Sequence, residues 1–402
     1  MKTASSYLGG ILLVAGTSIG VGILALPVST SFGGFIPSLC IFLVIWAVML
    51  ATAYFLLEVN LALPGEPNLI SMVEKTLGKW GKTVSWVFYL LLLYSLLAAY
   101  LSACAPLFAS FFQTAFHLTL PAFIFPFLLP IVFSGFICFG TRGIDYFNRI
   151  LILGLVISYG LLVGTVPEHM EVNRLFHRDF TSSLFAVPVI ITSFGYHIII
   201  PTLTTYMKHD VKSLRKILLW GSLIPLVVCI LWQVVVLGAL PQKDLSLAWK
   251  LGVPATDPLA KMLQSDWIAY SARFFSFFAI ITSFLGVALS LSDFLRDGLS
   301  LKKNWEGKLF AILLTFIPPL LFLFFCQKTF YIALEYAGSF VAILLGIIPA
   351  LMVLKLKKHS WYQSLKGRTF VFFILFLCVG VVLINGLEKF GFFQEKIMQY
   401  LR

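Results

Sequence analysis

Eleven apolar stretches, each long enough to cross a lipid bilayer, constrain this chain more than any other feature. An α-helix advances about 1.5 Å per residue, so about 20 apolar residues cross a hydrocarbon core of about 30 Å. The stretches occupy approximately residues 8–30, 34–59, 83–112, 120–140, 147–166, 181–205, 217–240, 266–293, 308–325, 329–354 and 369–388. They lack sustained period-two alternation and exceed the length of a barrel strand, which leaves helices to satisfy the backbone in lipid. With 60% hydrophobic and 11% charged residues, the chain cannot cover a water-soluble surface. The sequence therefore predicts an all-α integral membrane protein with eleven transmembrane helices.

Charge orients the spans. Of 29 basic residues, 19 fall on the side of the N-terminus, among them Lys2, Lys75, Lys79, Lys82, Arg142, Arg149, Arg215, Lys303, Lys357 and Lys358. Nine fall on the opposite side, including Lys328, Lys389, Lys396 and Arg402, and Arg273 lies within a helix. The positive-inside rule then makes the N-terminus cytoplasmic, and an odd number of spans places the C-terminus outside. The net charge of +12 is spread along short loops beside membrane helices rather than gathered in a basic domain, which argues against a nucleic-acid partner. The cysteines Cys40, Cys104, Cys138, Cys229, Cys326 and Cys378 sit in or beside apolar runs without CxxC or Cys/His spacing, and read as packing residues. The first stretch is too long for a secretory signal and is followed by ten more spans, so it is expected to be retained. No cofactor and no obligate protein partner is indicated; membrane lipid is the surrounding medium.

No loop reaches the size of a soluble domain, so residues 1–402 read as one membrane domain. Asn68–Gly78 carries apolar residues at 69, 70, 72, 73 and 77, compatible with a short interfacial helix, and Asp257–Leu263 is compatible with another. The first and sixth spans differ from the rest. The first contains Ala15-Gly16-Thr17-Ser18-Ile19-Gly20-Val21-Gly22, and the sixth contains Ser193-Phe194-Gly195-Tyr196-His197 followed by Pro201. At about 1.5 Å per residue, both breaks reach the middle of the bilayer. The sixth span is five positions on from the first, which implies repeats over about 8–166 and 181–354, the second inverted, with an additional helix at 369–388. Taken singly, Gly16 and Gly20 suit a GxxxG packing face, and Gly195 with Pro201 suits a simple kink. Two breaks at matching positions of inverted halves instead point to the central site of a secondary transporter.

The segments VAGTSIGVGILALP, Glu58-Val59, Phe147-Asn148-Arg149, PVIITSFGYH ending at His197, and TSFLGVALSLSDF ending at Phe294 give the chain a recognisable signature. In this order they resemble the bacterial hydroxy/aromatic amino acid permease family, with the strongest likeness to tyrosine-specific permeases. The resemblance implies a five-plus-five inverted repeat of the LeuT-like kind with discontinuous helices 1 and 6. It also implies a bacterial inner-membrane location and an aromatic amino acid as substrate, L-tyrosine first and tryptophan as the alternative.

The residues fit that expectation. A break in helix 1 frees N–H groups around Ile19, Gly20 and Val21 for a carboxylate, at a positive helix end. Carbonyls near Ala15, Gly16, Ser193 and Phe194 suit an ammonium, and the small residues Gly16, Thr17, Ser18 and Gly195 admit a ligand to the backbone. Phe194, Tyr196, Tyr94 and Tyr100 are candidate walls of an aromatic slot. His197 is a candidate proton carrier or substrate contact, or alternatively a structural donor to a freed carbonyl.

For the coupling ion, H+ and Na+ both remain open. The resemblance implies that proton-coupled relatives carry a lysine in helix 5, yet residues 148–158 contain none. Thr282 and Ser283, with Ala15 and Ser18, supply hard oxygen ligands that suit sodium, the one metal ion considered. Glu58 and Asp293, at helix ends, suit pairing with nearby basic residues. Arg273 and Glu335 each lie seven residues below an outer helix start and are expected to pair as an outer gate. An enzyme is disfavoured because no span presents HExxH or a nucleophile with its base, and matched broken helices favour a transporter over a channel.

Overall fold

The computed structural model describes residues 4–65, 67–139, 142–262, 266–302, 304–326, 328–356, 361–392 and 400. Lys2, Lys303, Lys357, Lys358, Lys396 and Arg402, and residue 263 of the second expected loop helix, lie outside these, as do the side chains of Cys138, Arg142 and Phe147.

The helices, in chain order, are α1 (Ala4–Ser18), α2 (Gly22–Ser31), α3 (Phe35–Ala62), α4 (Leu69–Phe116), α5 (Phe125–Phe139) and α6 (Arg142–Thr165). They continue with α7 (Phe180–Ser183), α8 (Val187–Thr192), α9 (Ile200–Tyr206), α10 (Val211–Ala239), α11 (Gln242–Leu251) and α12 (Thr256–Met262). The last are α13 (Asp266–Gly298), α14 (Trp305–Phe325), α15 (Thr329–Val341), α16 (Ile348–Lys355) and α17 (Leu365–Lys389). Among the described residues, nine helical runs are long and apolar enough to cross a membrane, and α1 with α2, bent by 54°, make a tenth. α5 is apolar but shorter and occupies the fourth position, so the eleven expected stretches all find a helix. Pro121, which lacks an amide hydrogen, stands before a single 3-10 turn, and α5 starts only at Phe125.

The expected interfacial helix is the first part of α4. Asn68 caps it by accepting from the Ser71 amide at 2.9 Å, and Gly78, at φ 79°, turns the chain into the span proper. α12 covers the second expected loop helix, whereas α11 was not legible from hydropathy. The tenth span carries a π-helical turn over Ala342–Ile347, just before Pro349, which sequence periodicity did not reveal.

α4 forms the centre of the bundle, packing against α5, α13, α14 and α15, while α1 packs along α10 and α8 lies between α3 and α15. Lipid tails are as apolar as the side chains, so cohesion here rests on close fit rather than on burial from water. Small residues provide that fit. A methyl group added at Gly221 would lie 2.6 Å from Val14 Cβ, and one at Gly338 would collide with the Pro188 carbonyl. The opposite faces are lipid-compatible stripes, such as Leu153, Val156 and Ile157 on α6 and Phe372, Phe373 and Phe376 on α17, all exposed.

Candidate functional site

Both expected breaks are present. α1 ends at Ser18 and α2 begins at Gly22; the Ile19 amide still closes the last turn onto Ala15 at 3.1 Å. The amides of Gly20, Val21 and Gly22 have no backbone acceptor among the described residues. In the sixth span, α8 stops at Thr192, Ser193 and Phe194 form a turn, and a 3-10 segment over Tyr196–Ile199 leads into α9. Gly195 takes a non-helical conformation, with φ −82° and ψ 41°. Pro201, the second residue of α9, has no amide hydrogen for a helical bond back across this gap.

Four elements converge on these breaks. A methyl group added at Gly20 would lie 2.9 Å from Ser283 Oγ on α13, and one at Gly22 would lie 2.7 Å from Ser193 Oγ. Tyr100 of α4 is buried with its hydroxyl against Ser283. Helix 1, helix 6, α4 and α13 therefore meet around free amides at Gly20–Gly22, with hydroxyls from Ser193, Ser283 and Tyr100. Free amides at the start of α2 suit a carboxylate, and the carbonyl end of α1 suits an ammonium. Phe194 is buried and stands edge-on to Phe42, with ring centroids 6.4 Å apart.

The remaining candidates are placed differently. Tyr94 donates its hydroxyl to the Leu314 carbonyl at 2.8 Å. That carbonyl is four residues before Pro318, which has no amide to offer it, so Tyr94 mends a proline gap in α14. His197 and Tyr196 are fully buried; His197 Nε2 lies 2.9 Å from Thr52 Oγ1 on α3, tying helix 6 to its neighbour. Thr52 was not singled out from sequence, and a lone threonine in an apolar run carries no signal that would have done so.

Thr17, Ser18 and Thr282 each donate to their own helix: Thr17 to Val14 at 2.8 Å, Ser18 to Val14 at 3.2 Å and Thr282 to Phe278 at 2.8 Å. Their oxygens keep lone pairs. Glu58 approaches Arg215 at 3.6 Å and Asp293 approaches Arg296 at 3.9 Å, as their positions near helix ends suggest.

The expected Arg273–Glu335 gate is corrected. Glu335, 2% exposed, bonds Lys389 of α17 at 2.6 Å, and Arg273 is exposed on α13. Equal depth does not imply facing sides: α4 packs against both α13 and α15.

The route through the site is closed at one end. On the face opposite the N-terminus, the α11–α12 hairpin covers α2: the Ala255 amide bonds the Leu24 carbonyl at 3.0 Å, and the Thr256 and Ser276 hydroxyls pair. Tyr331 donates to the Val253 carbonyl at 2.6 Å, and Lys328 Nζ stands 3.8 Å above the Trp249 ring. Burial and the neighbouring Lys250 charge pull the Lys328 pKa down, Glu335 opposing them.

Toward the N-terminal face, packing loosens. Gly16 and Thr17, one turn before Gly20, are exposed, as are Gly286 and Ser290, one and two turns beyond Ser283. A methyl group at Gly16 or Gly286 meets nothing within 4 Å. These small and polar residues on α1 and α13 are thus less enclosed than the residues at the break. A separate cavity of about 390 Å³ on the far face includes Asn173, Arg174, His177 and Gln242 but no break residue, and Arg174 is committed to Glu171 and the Ala239 carbonyl.

Residues 3–385 match the tryptophan/tyrosine permease family. The "Tyrosine-specific transport system 1" of Haemophilus influenzae is 33% identical over 336 residues, covering 82% of this chain and 83% of that protein. The "Tryptophan-specific transport protein" of the same organism is 30% identical over 351 residues, covering 84% of each. Among solved structures, MhsT in complex with L-phenylalanine superposes with a TM-score of 0.61 at 14% identity, covering 96% of this chain and 98% of that one. The Eremococcus coleocola manganese transporter also gives 0.61 at 14%, covering 98% and 93%. These likenesses identify the LeuT-type fold with its inverted repeat.

Proposed function

The chain belongs to the tryptophan/tyrosine permease family, and from that premise we propose that it imports aromatic amino acids, L-tyrosine in preference, by cation-coupled alternating access. One observation carries the reading: unpaired amides at Gly20–Gly22 meet Ser193, Ser283 and Tyr100 at a point sealed on one side and loosely packed on the other. A zwitterion fits that polarity, with its carboxylate at the α2 start and its ammonium at the α1 end. Phe194 with Phe42 supplies aromatic surface, and the hydroxyls of Ser283 and Tyr100, beside the Gly20 amide, add donors for the carboxylate.

The basic-residue distribution supports an inner-membrane orientation with a cytoplasmic N-terminus. The open end then faces the cytoplasm. Thr282 and Ser283 with Ala15 and Ser18 remain the candidate sodium ligands; His197, held by Thr52, reads as a brace between helices 3 and 6.

The test is competition against labelled tyrosine uptake, with proton and sodium gradients imposed separately. Tyrosine and tryptophan should compete and alanine should not, because a short side chain leaves the slot unfilled. Equal competition by alanine would refute the aromatic assignment.

A further inference from the structure

Two carboxylates and one lysine lie together where α15 meets the end of α17. Glu335 and Lys389 form the ion pair at 2.6 Å, their side chains 3% and 33% exposed. The Glu388 side chain is 10% exposed, and its Oε1 lies 3.9 Å from Lys389 Nζ. Its carboxyl group is within hydrogen-bonding reach of Glu335, and its buried Oε2 meets no donor among the described residues. Asn385 braces the same junction, donating to the Glu335 carbonyl and to Ser339 Oγ, each at 2.6 Å. Among the described residues, the other charged or titratable groups around the cluster are Tyr336, 5.1 Å from Lys389, and Lys328, whose charge interacts with that of Glu335.

The charges among the described residues do not balance. Two largely buried carboxylates against one ammonium leave a net negative charge, and neighbouring buried carboxylates cannot both ionise cheaply. A buried oxygen that meets no donor, beside a second carboxylate, is where an O–H bond resolves both problems. Glu335 is tied closely to Lys389 at 2.6 Å, and Glu388 is the group left to hold the proton.

We infer that Glu388, set against the Glu335–Lys389 pair, is a proton-binding site whose occupancy holds α15 against α17 in the arrangement closed on the far face. α15 links the two regions, since Lys328 and Tyr331, one to two turns before Glu335, also clamp the α11–α12 cover. Protonation adds one proton from water on the far side to a Glu388 oxygen. Its loss restores the uncompensated negative charge, which weakens the α15–α17 contact and with it the cover. This rests on the alternating-access reading above and concerns a site apart from the substrate pocket.

The experiment uses Ala255→Cys, a fully buried position on the inner side of the cover, in a cysteine-depleted background, and measures its labelling by a charged maleimide from the far face across pH. The rate is divided by that of the same cysteine in Glu388→Gln, which cancels the thiol's own ionisation. One titrating group changes its deprotonated fraction about tenfold across two pH units centred on its pKa, so the ratio should rise about tenfold with pH. Glu388→Asp should retain the rise, because a carboxyl group remains. A ratio that stays flat, or a Glu388→Asp protein indistinguishable from Glu388→Gln, would overturn the proposal. Labelling needs no substrate flux, so failure of transport in a parallel counterflow assay would instead count against the transport reading.

Discussion

Gly16, on α1, and Gly20, in the break that follows it, lie four residues apart yet meet different surroundings, and substitution should separate them. A methyl group at Gly20 lies 2.9 Å from Ser283 Oγ, whereas one at Gly16 meets nothing within 4 Å. Gly20→Leu should weaken substrate binding more than about tenfold, or about 1.4 kcal/mol, by filling the approach to the free amides. Gly16→Ala should change it by less than about twofold, a small fraction of that energy. Substrate-induced thermal shifts on both purified proteins measure this, with correct insertion verified separately. Wild-type affinity in Gly20→Leu would dismiss the site assignment. Tyr94 offers a contrasting case. Tyr94→Phe should lower stability by about 1 kcal/mol by stranding the Leu314 carbonyl, while leaving substrate affinity unchanged. A selective loss of affinity would make Tyr94 a wall of the pocket after all.

Among the elements, the α11–α12 hairpin is the one whose role depends on a few bonds. Tyr331→Phe removes the hydroxyl that holds the Val253 carbonyl, so the Ala255 amide should exchange with solvent faster by about fivefold, the equivalent of about 1 kcal/mol. Unchanged exchange at Ala255 would mean that the cover is held elsewhere. The hairpin also marks where sequence reading ran out. The spans and both breaks were legible, because glycine, proline and a run of 20 apolar residues act locally. α11 was not, since a short helix in a loop leaves no long apolar run. The partner of Glu335 was missed for a related reason: depth follows from counting residues, but facing direction depends on how α4, α15 and α17 pack. Lys389 counted only as one of the outer basic residues and Glu388 was not singled out; only the tertiary fold brings them against Glu335.

For the whole molecule, the uneven packing on the two sides of the site is what alternating access requires of one of its states. The far side is covered by the hairpin, and Gly16, Thr17, Gly286 and Ser290 are exposed toward the other face. A channel with the same helices would need both ends open at once, and an enzyme would release a changed product. Counterflow in proteoliposomes distinguishes these directly: vesicles loaded with unlabelled L-tyrosine are diluted into a trace of labelled L-tyrosine without any ion gradient. The account predicts transient, saturable accumulation of intact label above its external concentration, absent in Gly20→Leu. Non-saturable equilibration without overshoot would contradict it.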